Sequence, residues 1–320
     1  MDITELLNKC KSDLSPLSLK TYATNCKKVL ENCGQPIDNL HYFHTHAKDI
    51  IDCLTNKYTS ANTLKTKLAS IIVCLRCMNV DASKDHKESI DKAIAIYTSE
   101  IVKLGDAIKA DLSSGKKNEK QTENWLTESD KIKIDLTLKG LVKNEIKTPA
   151  DLVHMRDYVM YNLYQALPSR NDFADSKLIY QPPKKSSDLS TDCNYIILNK
   201  RDKSVKYILN VYKTASTYGQ KVIDLDAYLY PMLLEYKKAK ENFSENPSLF
   251  LNSDATEPLS RNRMSVIYSQ LGKIVGKKLG TSMNRHQAIS DLVPLDKMKA
   301  LADKMGHSVE EAMSVYAKLN

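Results

Sequence analysis

Five side chains in the second half of the sequence carry groups suited to chemistry on a phosphate ester. They are two arginines (Arg170 and Arg285), one lysine (Lys213), one histidine (His307) and one tyrosine (Tyr316). A guanidinium is planar, binds two phosphate oxygens at once and keeps its charge at physiological pH. A tyrosine hydroxyl can act as a nucleophile, and lysine or histidine can move protons. Because the chain has 47 Lys and Arg residues and 17 Tyr residues, only the order and spacing of the set carry information.

The first third of the chain predicts a small bundle of amphipathic helices. Ser15 is a typical N-cap, Pro16 suits the first helical position and Gly34 is a typical C-terminal stop. Apolar residues then recur at helical spacing in three stripes. The stripes are Tyr22, Cys26, Val29 and Leu30; Leu64, Leu68, Ile71, Ile72 and Leu75; and Ile90, Ile94, Tyr97, Ile101, Leu104 and Ile108.

The composition changes at residues 111–125, where DLSSGKKNEKQTENW is polar and has no periodic apolar stripe. We interpret this segment as a linker between an N-terminal domain at 1–110 and a second domain at 126–320. Thr127 is a candidate cap for the next helix. Three β-rich runs, NYIILN, KYILNVYK and QKVIDL, are separated by polar turns and predict a three-stranded meander. The expected fold is therefore mainly α with a small antiparallel β-sheet.

Charge and composition narrow the class of protein. Hydrophobic residues make up 42% of the chain and charged residues 27%, and the net charge is +8, which favours an anionic partner such as nucleic acid. The N-terminal MDITELLNKC does not resemble a secretory signal, and no apolar run reaches the roughly 18 residues that a membrane helix needs. We therefore expect no membrane partner and an intracellular location, in the cytoplasm or nucleus of a host cell.

Seven cysteines are scattered along the chain, and reduced thiols are the simplest interpretation. Cys74 and Cys77 form a C-x-x-C, but zinc would need two further ligands, for which His41, His44 and His46 are the candidates. We interpret the pair as two thiols on an apolar helix. The sequence contains no Walker loop, H-E-x-x-H or G-x-S-x-G motif, which argues against the enzyme classes that those motifs mark.

The ordered set of five residues resembles the site of the tyrosine recombinase, or phage integrase, family. That family orders its site as Arg, Lys, H-x-x-R, His or Trp, and Tyr. Here Arg285 precedes His307 by 22 residues, and His307 precedes Tyr316 by nine. The "LF" followed by "PLS" at 249–260 is similar to the family's approach to its second arginine.

The resemblance covers roughly 126–320 through these motifs and 15–110 through the helical arm. It implies an N-terminal helical core-binding domain, which contacts DNA, and an α+β catalytic domain. The "PSRND" around Arg170 and the "KT…YGQ" from Lys213 are more similar to recombinases of large DNA viruses and their mobile elements than to bacterial ones.

The activity that this resemblance implies is site-specific cleavage and rejoining of DNA, as in integration, without metal, ATP or another cofactor. Tyr316 would attack phosphorus and form a 3′-phosphotyrosyl link, while Arg170 and Arg285 clamp the phosphate. Lys213 would protonate the leaving 5′-oxygen. His307 would hydrogen-bond a non-bridging oxygen or steer the phenol. The partners implied are double-stranded DNA and, on DNA, three further copies of the chain, with a monomer expected in its absence.

Two positions depart from the family pattern. Ser282 stands where the family has the histidine of H-x-x-R, and it can offer only a hydroxyl to phosphate. Phe173 stands where the family has an acidic residue, with Asp172 and Asp175 beside it as possible substitutes. His286 is expected to pack beneath the site. Two alternatives stay open. One is a type IB topoisomerase-like relaxation of DNA, which shares the same site chemistry. The other is a DNA-binding protein on the same fold with impaired catalysis, which the two departures suggest.

Two groups of lysines remain open to more than one interpretation. Lys203 and Lys206 lie in the same lysine-rich run as Lys213 and compete with it for the role of proton donor. The polar faces of the N-terminal helices supply candidate contacts to DNA phosphates, for which a solvated lysine face is the alternative. These candidates are Lys20, Lys27, Lys28, Lys65 and Lys67.

Overall fold

The computed structural model of the protein describes residues 2–80, 82–113, 115–181, 189–290 and 295–316. The chain divides into two compact units, Met1–Ser114 and Gly115–Asn320. Each unit has its own apolar core. Neither the long helix at the end of the first unit nor any other described helix has an apolar stretch that could span a bilayer.

The N-terminal unit is built from helices over its described residues. Their bounds are α1 (Ile3–Cys10), α2 (Pro16–Asn32), α3 (Tyr42–Thr45), α4 (Ala47–Lys57), α5 (Ala61–Asn79) and α6 (Lys84–Ser113). The predicted start of α2 is confirmed, because the Ser15 hydroxyl accepts a hydrogen bond from the Ser18 amide at 3.2 Å. The predicted stop is also confirmed, since Gly34 has a φ of +69° and the next amide, Gln35, donates to Leu30 O at 2.9 Å.

Apart from Ile108, the residues of the three predicted stripes pack in the core of this unit, but α5 is buried on more than its stripe. Helices α1, α2, α3 and α6 all pack against it. Lys67, which the sequence places on the polar face, is only 5% exposed. Its aliphatic stem is covered, and its ammonium lies 4.9 Å from the centre of the Tyr58 ring. The expected exposure of Lys67 is therefore wrong.

The cysteines also differ from the expectation that all are reduced. Cys10, at the end of α1, forms a disulfide with Cys77 on α5, with their Cα atoms 5.5 Å apart. This pairing takes one member of the C-x-x-C, and Cys74 is a buried free thiol. No three His, Cys, Asp or Glu side chains among the described residues form a group that could hold a metal ion.

Residues 111–125, expected to be a linker, are partly helical. Helix α6 continues to Ser113, and a short helix α7 occupies Glu119–Asn124. Asn118 caps α7 by accepting from the Gln121 amide at 2.9 Å, and the Gln121 side chain accepts from the Asn118 amide at 3.0 Å. A capping box of this kind can stabilise a short helix that has no apolar stripe. The linker interpretation relied on the absence of such a stripe and therefore missed α7.

The second unit surrounds one small sheet with helices. Its helices are α8 (Glu128–Leu141), α9 (Pro149–Ala166), α10 (Ala215–Tyr218), α11 (Leu229–Glu241), α12 (Arg261–Leu271), α13 (Thr281–Ser290), α14 (Leu295–Met305) and α15 (Val309–Glu311). Its strands are β1 (Ser176–Tyr180), β2 (Asn194–Asn199), β3 (Ser204–Leu209) and β4 (Lys221–Leu225). Tight turns occupy Asn171–Asp175 and Gly272–Val275, and a π-helical turn occupies Ala312–Tyr316. The predicted cap of α8 is confirmed, since Thr127 accepts from the Asp130 amide at 3.1 Å.

The predicted meander is present as β2, β3 and β4, which pair antiparallel in sequence order. Strand β1 adds a fourth member that the sequence analysis missed. It pairs parallel to β2, with Ser176 opposite Asn194 and Tyr180 opposite Leu198. The fold is therefore mainly α with a small sheet, as expected, but the sheet is mixed rather than wholly antiparallel.

A separate small core holds the last described segment. Ile289 of α13, Ala302 and Met305 of α14, Ala312 and Tyr316 bury their side chains together. This cluster joins the helix that carries Arg285 to the turn that carries Tyr316, and it thereby places both residues in one site.

Candidate active site

Arg170 occupies the bend between α9 and the turn Asn171–Asp175. The bend is fixed from both sides, because Asn171 donates to the backbone carbonyl of Arg261 at 3.2 Å and accepts from the Tyr164 hydroxyl at 2.8 Å. The side chain of Arg170 reaches across the fold, and its Nη2 lies 3.2 Å from Nε2 of His307. Residues 137 positions apart in the sequence are therefore in hydrogen-bond contact.

Arg285 lies on α13 and is buried, with 8% of its surface exposed. Its Nη1 donates to the backbone carbonyl of Ser169 at 3.3 Å, next to Arg170. Its Nε has no hydrogen-bond partner among the residues that the structure describes. Burial lowers the pKa of Arg285, and the neighbouring Tyr316 hydroxyl opposes that shift. A buried guanidinium with an unpaired N–H is a donor held ready for an anion, since an unsatisfied buried donor is costly until it is paired.

His307 lies between Arg170 and Tyr316. Its Nε2 is 3.2 Å from Arg170 Nη2 and 3.4 Å from Tyr316 Oη, and its Nδ1 is 3.1 Å from Glu311 Oε1. The Nδ1 contact has the distance of an ion pair without the geometry of a hydrogen bond. Burial lowers the pKa of His307, the two arginines lower it further, and Glu311 opposes them. The imidazole is therefore neutral near pH 7, with Nε2 as the acceptor for Arg170.

Tyr316 packs its ring inside this group of side chains. The ring centre lies 5.0 Å from that of His307, 5.2 Å from that of His286 and 5.5 Å from Arg285 Cζ. Its backbone carbonyl accepts from His286 Nδ1 at 3.2 Å and from Ser290 Oγ at 3.5 Å. Helix α13 therefore holds the tyrosine through its backbone, and His286 packs against the tyrosine as the sequence analysis expected.

Lys213 is exposed on the turn after β3, and we see no ion pair or hydrogen bond of its side chain within the ranges that the structure describes. The turn itself is anchored beside His307. Thr214 Oγ1 donates to the backbone carbonyl of Gly306 at 3.2 Å. The Tyr212 ring also packs closely against Gly306. The free ammonium of Lys213 is therefore carried on a fixed turn at the edge of the site.

Gly306→Ala is expected to lower both stability and DNA cleavage. Gly306 has a φ of +70°, and a Cβ there would lie 3.1 Å from both Thr214 Oγ1 and the Tyr212 ring. The strained backbone costs about 1–3 kcal/mol, and the contact would push the Lys213 turn away from His307. Thermal unfolding and cleavage assays measure the two effects.

Gly276→Ala is the matched control. Gly276 also has a positive φ, +71°, but nothing lies within 4 Å of the position that its Cβ would take. Gly276→Ala should lose a similar amount of stability because of its strained backbone. The fraction of this variant that is folded should cleave DNA at the wild-type rate. Equal cleavage by the two variants would show that the contact between Gly306 and the Lys213 turn does not matter to the site.

Ser282 does not join the other predicted site residues. It is exposed on the first turn of α13, three residues before Arg285. No polar contact links it to the arginines, His307 or Tyr316 in the parts of the chain that the structure describes. A hydroxyl is also shorter than an imidazole, so it reaches less far from the same helix position.

Acidic side chains near Arg170 are arranged differently from the family pattern. Phe173 is fully buried, with its ring centre 5.3 Å from that of Tyr164 and 5.0 Å from that of Tyr207. Asp172 is the buried carboxylate instead, with its Oδ1 3.5 Å from Arg261 Nη2. Burial raises the pKa of Asp172, while Arg261, Arg170 and Arg285 lower it. Asp172 is therefore the buried acidic group that interacts with the arginines of the site.

Sequence reasoning missed two residues of this site, Glu311 and Arg261. Glu311 lies on α15, which Ser308 caps, and the Ser-x-x-Glu spacing at 308–311 was a usable signal for this helix start. Arg261 pairs with Asp175 as well as with Asp172, across 86 positions of sequence. No local pattern could have indicated that pairing.

The candidate DNA-contacting lysines differ in how free they are. Lys20 and Lys28 on α2 are exposed, and Lys65 on α5 is half-buried. Lys27 is paired with Asp2, with Nζ 2.9 Å from Oδ1. Lys67 is buried over Tyr58 and is not available to a phosphate in this conformation. Lys20 and Lys28 are therefore the two candidates with the most accessible charge.

Comparisons with known proteins gave matches among solved structures. No protein-family model and no curated protein matches the chain. Among solved structures, it is similar to XerA recombinase, at 11% identity and a TM-score of 0.43, over 99% of this chain and 93% of that one. It is also similar to XerH site-specific recombinase bound to its difH substrate before cleavage, at 12% identity and a TM-score of 0.47, over 99% and 91% of the two chains.

Proposed function

We propose that this chain cleaves and rejoins DNA through a 3′-phosphotyrosyl intermediate, as a site-specific recombinase or integrase. The observation that carries the proposal is the convergence of Arg170, Arg285, His307 and Tyr316 from four separate segments. Two guanidiniums beside a tyrosine hydroxyl can hold a phosphodiester and stabilise the charge that develops on it. Because these groups already supply positive charge and a nucleophile, the proposed reaction needs no metal ion. Because the phosphotyrosyl link conserves the energy of the phosphodiester bond, rejoining needs no ATP.

The two arginines have different tasks in this mechanism. Arg285 is buried and fixed by Ser169, so its unpaired Nε–H offers a preorganised hydrogen bond to a non-bridging phosphate oxygen. Arg170 is half-buried and donates to His307 in the absence of DNA. When a phosphate enters, Arg170 turns its N–H groups to the phosphate, and His307 Nε2 loses its donor.

This exchange gives His307 a role in activating the nucleophile. Its Nε2 lies 3.4 Å from the Tyr316 hydroxyl and is neutral near pH 7. Once Arg170 has turned to the phosphate, Nε2 can accept the phenolic proton as Tyr316 attacks phosphorus. The two arginines beside it stabilise the negative charge that develops on the phosphate during the attack.

Lys213 completes the reaction by protonating the 5′-oxygen as it leaves. Its exposed side chain has the reach of four methylene groups, and its turn is fixed against the residue before His307. Rejoining is the reverse reaction, in which a 5′-hydroxyl attacks the phosphotyrosyl bond. In the same proposal, DNA gathers four protomers on two duplexes, and the exposed Lys20 and Lys28 contact its phosphates.

A second candidate is a DNA-binding protein with impaired catalysis. The burial of Tyr316, which is 7% exposed, and the separation of Ser282 from the site favour it. If the phenol stays buried at this depth when DNA binds, its oxygen cannot reach phosphorus. In this case the arginines would bind phosphate without cleavage.

A suicide-substrate trap distinguishes the two. The substrates are duplexes with a randomised sequence and one nick. Where the protein cleaves just before the nick, the short strand with the 5′-hydroxyl is lost, so the covalent adduct accumulates. The folded protein is incubated with this library in chelator, and complexes that survive denaturant are recovered and mapped by peptide mass. An adduct at Tyr316 supports the proposal, and bound DNA without any adduct supports the second candidate. Joining of a second duplex, rather than relaxation of a supercoiled plasmid alone, distinguishes a recombinase from a type IB topoisomerase.

A further inference from the structure

The six cysteines of the N-terminal unit occur as three pairs, of which one is a disulfide and two are in contact without being bonded. Besides the disulfide of Cys10 and Cys77, Cys33 and Cys53 have their sulfur atoms 2.8 Å apart. This separation approaches the roughly 2.05 Å of a disulfide. Both side chains are half-buried, so small molecules in solvent can reach them.

The backbone holds both members of this pair in place. Cys33 is the C-cap residue of α2. Directly after it, the Gly34 amide donates to Glu31 O at 3.1 Å and the Gln35 amide donates to Leu30 O at 2.9 Å. Cys53 lies within α4, and its thiol also contacts the carbonyl of Asn32 at 3.5 Å. A sulfur contact between a helix end and a helix interior is therefore built into the packing of α2 on α4.

We propose that Cys33 and Cys53 form a second, reversible disulfide in this chain when a low-molecular-weight disulfide such as oxidised glutathione is present. One cysteine thiolate attacks the glutathione disulfide, forms a mixed disulfide and releases one glutathione thiol. The thiolate of the other cysteine then attacks the protein sulfur of that mixed disulfide and releases the second glutathione thiol. Two protein thiols are oxidised, one glutathione disulfide is reduced, and two protons leave the protein thiols.

Burial and the neighbouring thiol set the rate of this reaction. Burial and the contact with Cys53 raise the pKa of the Cys33 thiol to about 12. Because the thiolate is the attacking species, cross-linking is expected to be slow at neutral pH and to accelerate as the pH rises.

The buried pair Cys26 and Cys74 provides an internal comparison. Both residues are 0% exposed in the core of the same unit. Contact with Cys74 and, to a smaller extent, burial raise the pKa of the Cys26 thiol well above its ordinary value. A disulfide reagent in solvent cannot reach this pair in the folded protein, so the two pairs should respond differently to the same oxidant.

The cross-link would close a loop between residues 20 positions apart, which includes α3. A closed loop restricts the unfolded chain and so stabilises the folded one. It would also fix Asn32, whose Nδ2 donates to the Tyr58 hydroxyl at 2.7 Å, beneath the ammonium of Lys67. Oxidation at Cys33 and Cys53 is therefore expected to stiffen the contact between α2, which carries Lys20 and Lys28, and α4.

The experiment exposes the full-length native protein to graded ratios of oxidised and reduced glutathione at two pH values. The remaining thiols are then blocked with an alkylating agent, and peptides are mapped by mass spectrometry without reduction. The expected product links the peptides of Cys33 and Cys53, forms faster at the higher pH, reverses with dithiothreitol and raises the unfolding midpoint by several degrees. Complete alkylation of both cysteines after oxidation, or stable glutathione adducts on each without a cross-link, would overturn the proposal.

Variants make the assignment specific. Cys33→Ser and Cys53→Ser should each leave a glutathione adduct on the remaining cysteine and lose the rise in the unfolding midpoint. Cys193→Ser removes a half-buried free thiol from the other unit and should form the cross-link at the wild-type rate. A cross-link between Cys26 and Cys74 in the folded protein, with none at Cys33 and Cys53, would also refute the proposal.

Discussion

Tyr316→Phe is expected to keep the fold and DNA binding and to abolish the covalent adduct. Phenylalanine retains the ring that packs against His307, His286 and Arg285, and the substitution removes only the hydroxyl oxygen that would attack phosphorus. The backbone carbonyl that α13 holds is unchanged. The suicide-substrate trap measures adduct yield, and a gel-shift assay of the same samples measures binding.

Tyr228→Phe is the control for loss of a tyrosine hydroxyl as such. Its side chain is 53% exposed in the same unit, and it makes no ring contact with the site. It should give the wild-type yield of adduct. Adduct of undiminished yield from Tyr316→Phe would remove Tyr316 from the mechanism and would require another nucleophile.

Loss of either arginine is expected to slow cleavage by two to three orders of magnitude or more. Removing one preorganised donor to a developing oxyanion costs about 10²–10³ in rate, and alanine also removes a full charge from the site. Arg285→Ala further leaves a gap beneath the Tyr316 ring, so Arg285→Lys is the cleaner variant. Lysine retains the charge but lacks the fork that pairs with Ser169 and phosphate together. Single-turnover cleavage, measured in chelator at saturating protein, tests both sites.

Arg263→Ala controls for the loss of one positive charge in the same unit. Arg263 is exposed on α12, and its removal should change cleavage by less than about threefold, in line with a surface charge. Cleavage by Arg170→Ala or Arg285→Lys at a rate close to that of Arg263→Ala would exclude the phosphate clamp. Loss of wild-type cleavage in chelator, with the fold intact, would overturn the metal-independent mechanism.

Sequence patterns predicted the elements whose signals are local. Ser15 and Thr127 are caps whose hydroxyls bond the third residue beyond them, so each helix start is encoded within four residues. The meander strands β2 to β4 are consecutive strands of the chain, and each pairs with its neighbour in sequence, so none needed a distant partner. Strand β1 was missed because its short run, SKLIY, becomes a strand only by pairing parallel to β2, and that pairing is not a local property.

Packing against several neighbours explains the other differences. A helical stripe predicts one buried face, yet α5 is covered by four helices, and Lys67 is buried as a result. The disulfide of Cys10 and Cys77 joins residues 67 positions apart and depends on how α1 lies on α5. For the site, order and spacing led to the residues that meet at His307, but a short side chain such as that of Ser282 could only be placed by the structure.

The hold of α13 on Tyr316 bears on stoichiometry. His286 and Ser290 bind the carbonyl of Tyr316, and Arg285 of the same helix lies over its ring, all within one chain. Under the proposed function, each protomer therefore brings its own nucleophile to its own clamp. A Tyr316→Phe subunit and an Arg285→Lys subunit in one complex cannot restore each other. In a complex that contains both intact and variant subunits, the number of DNA strands held covalently at one time therefore cannot exceed the number of intact subunits.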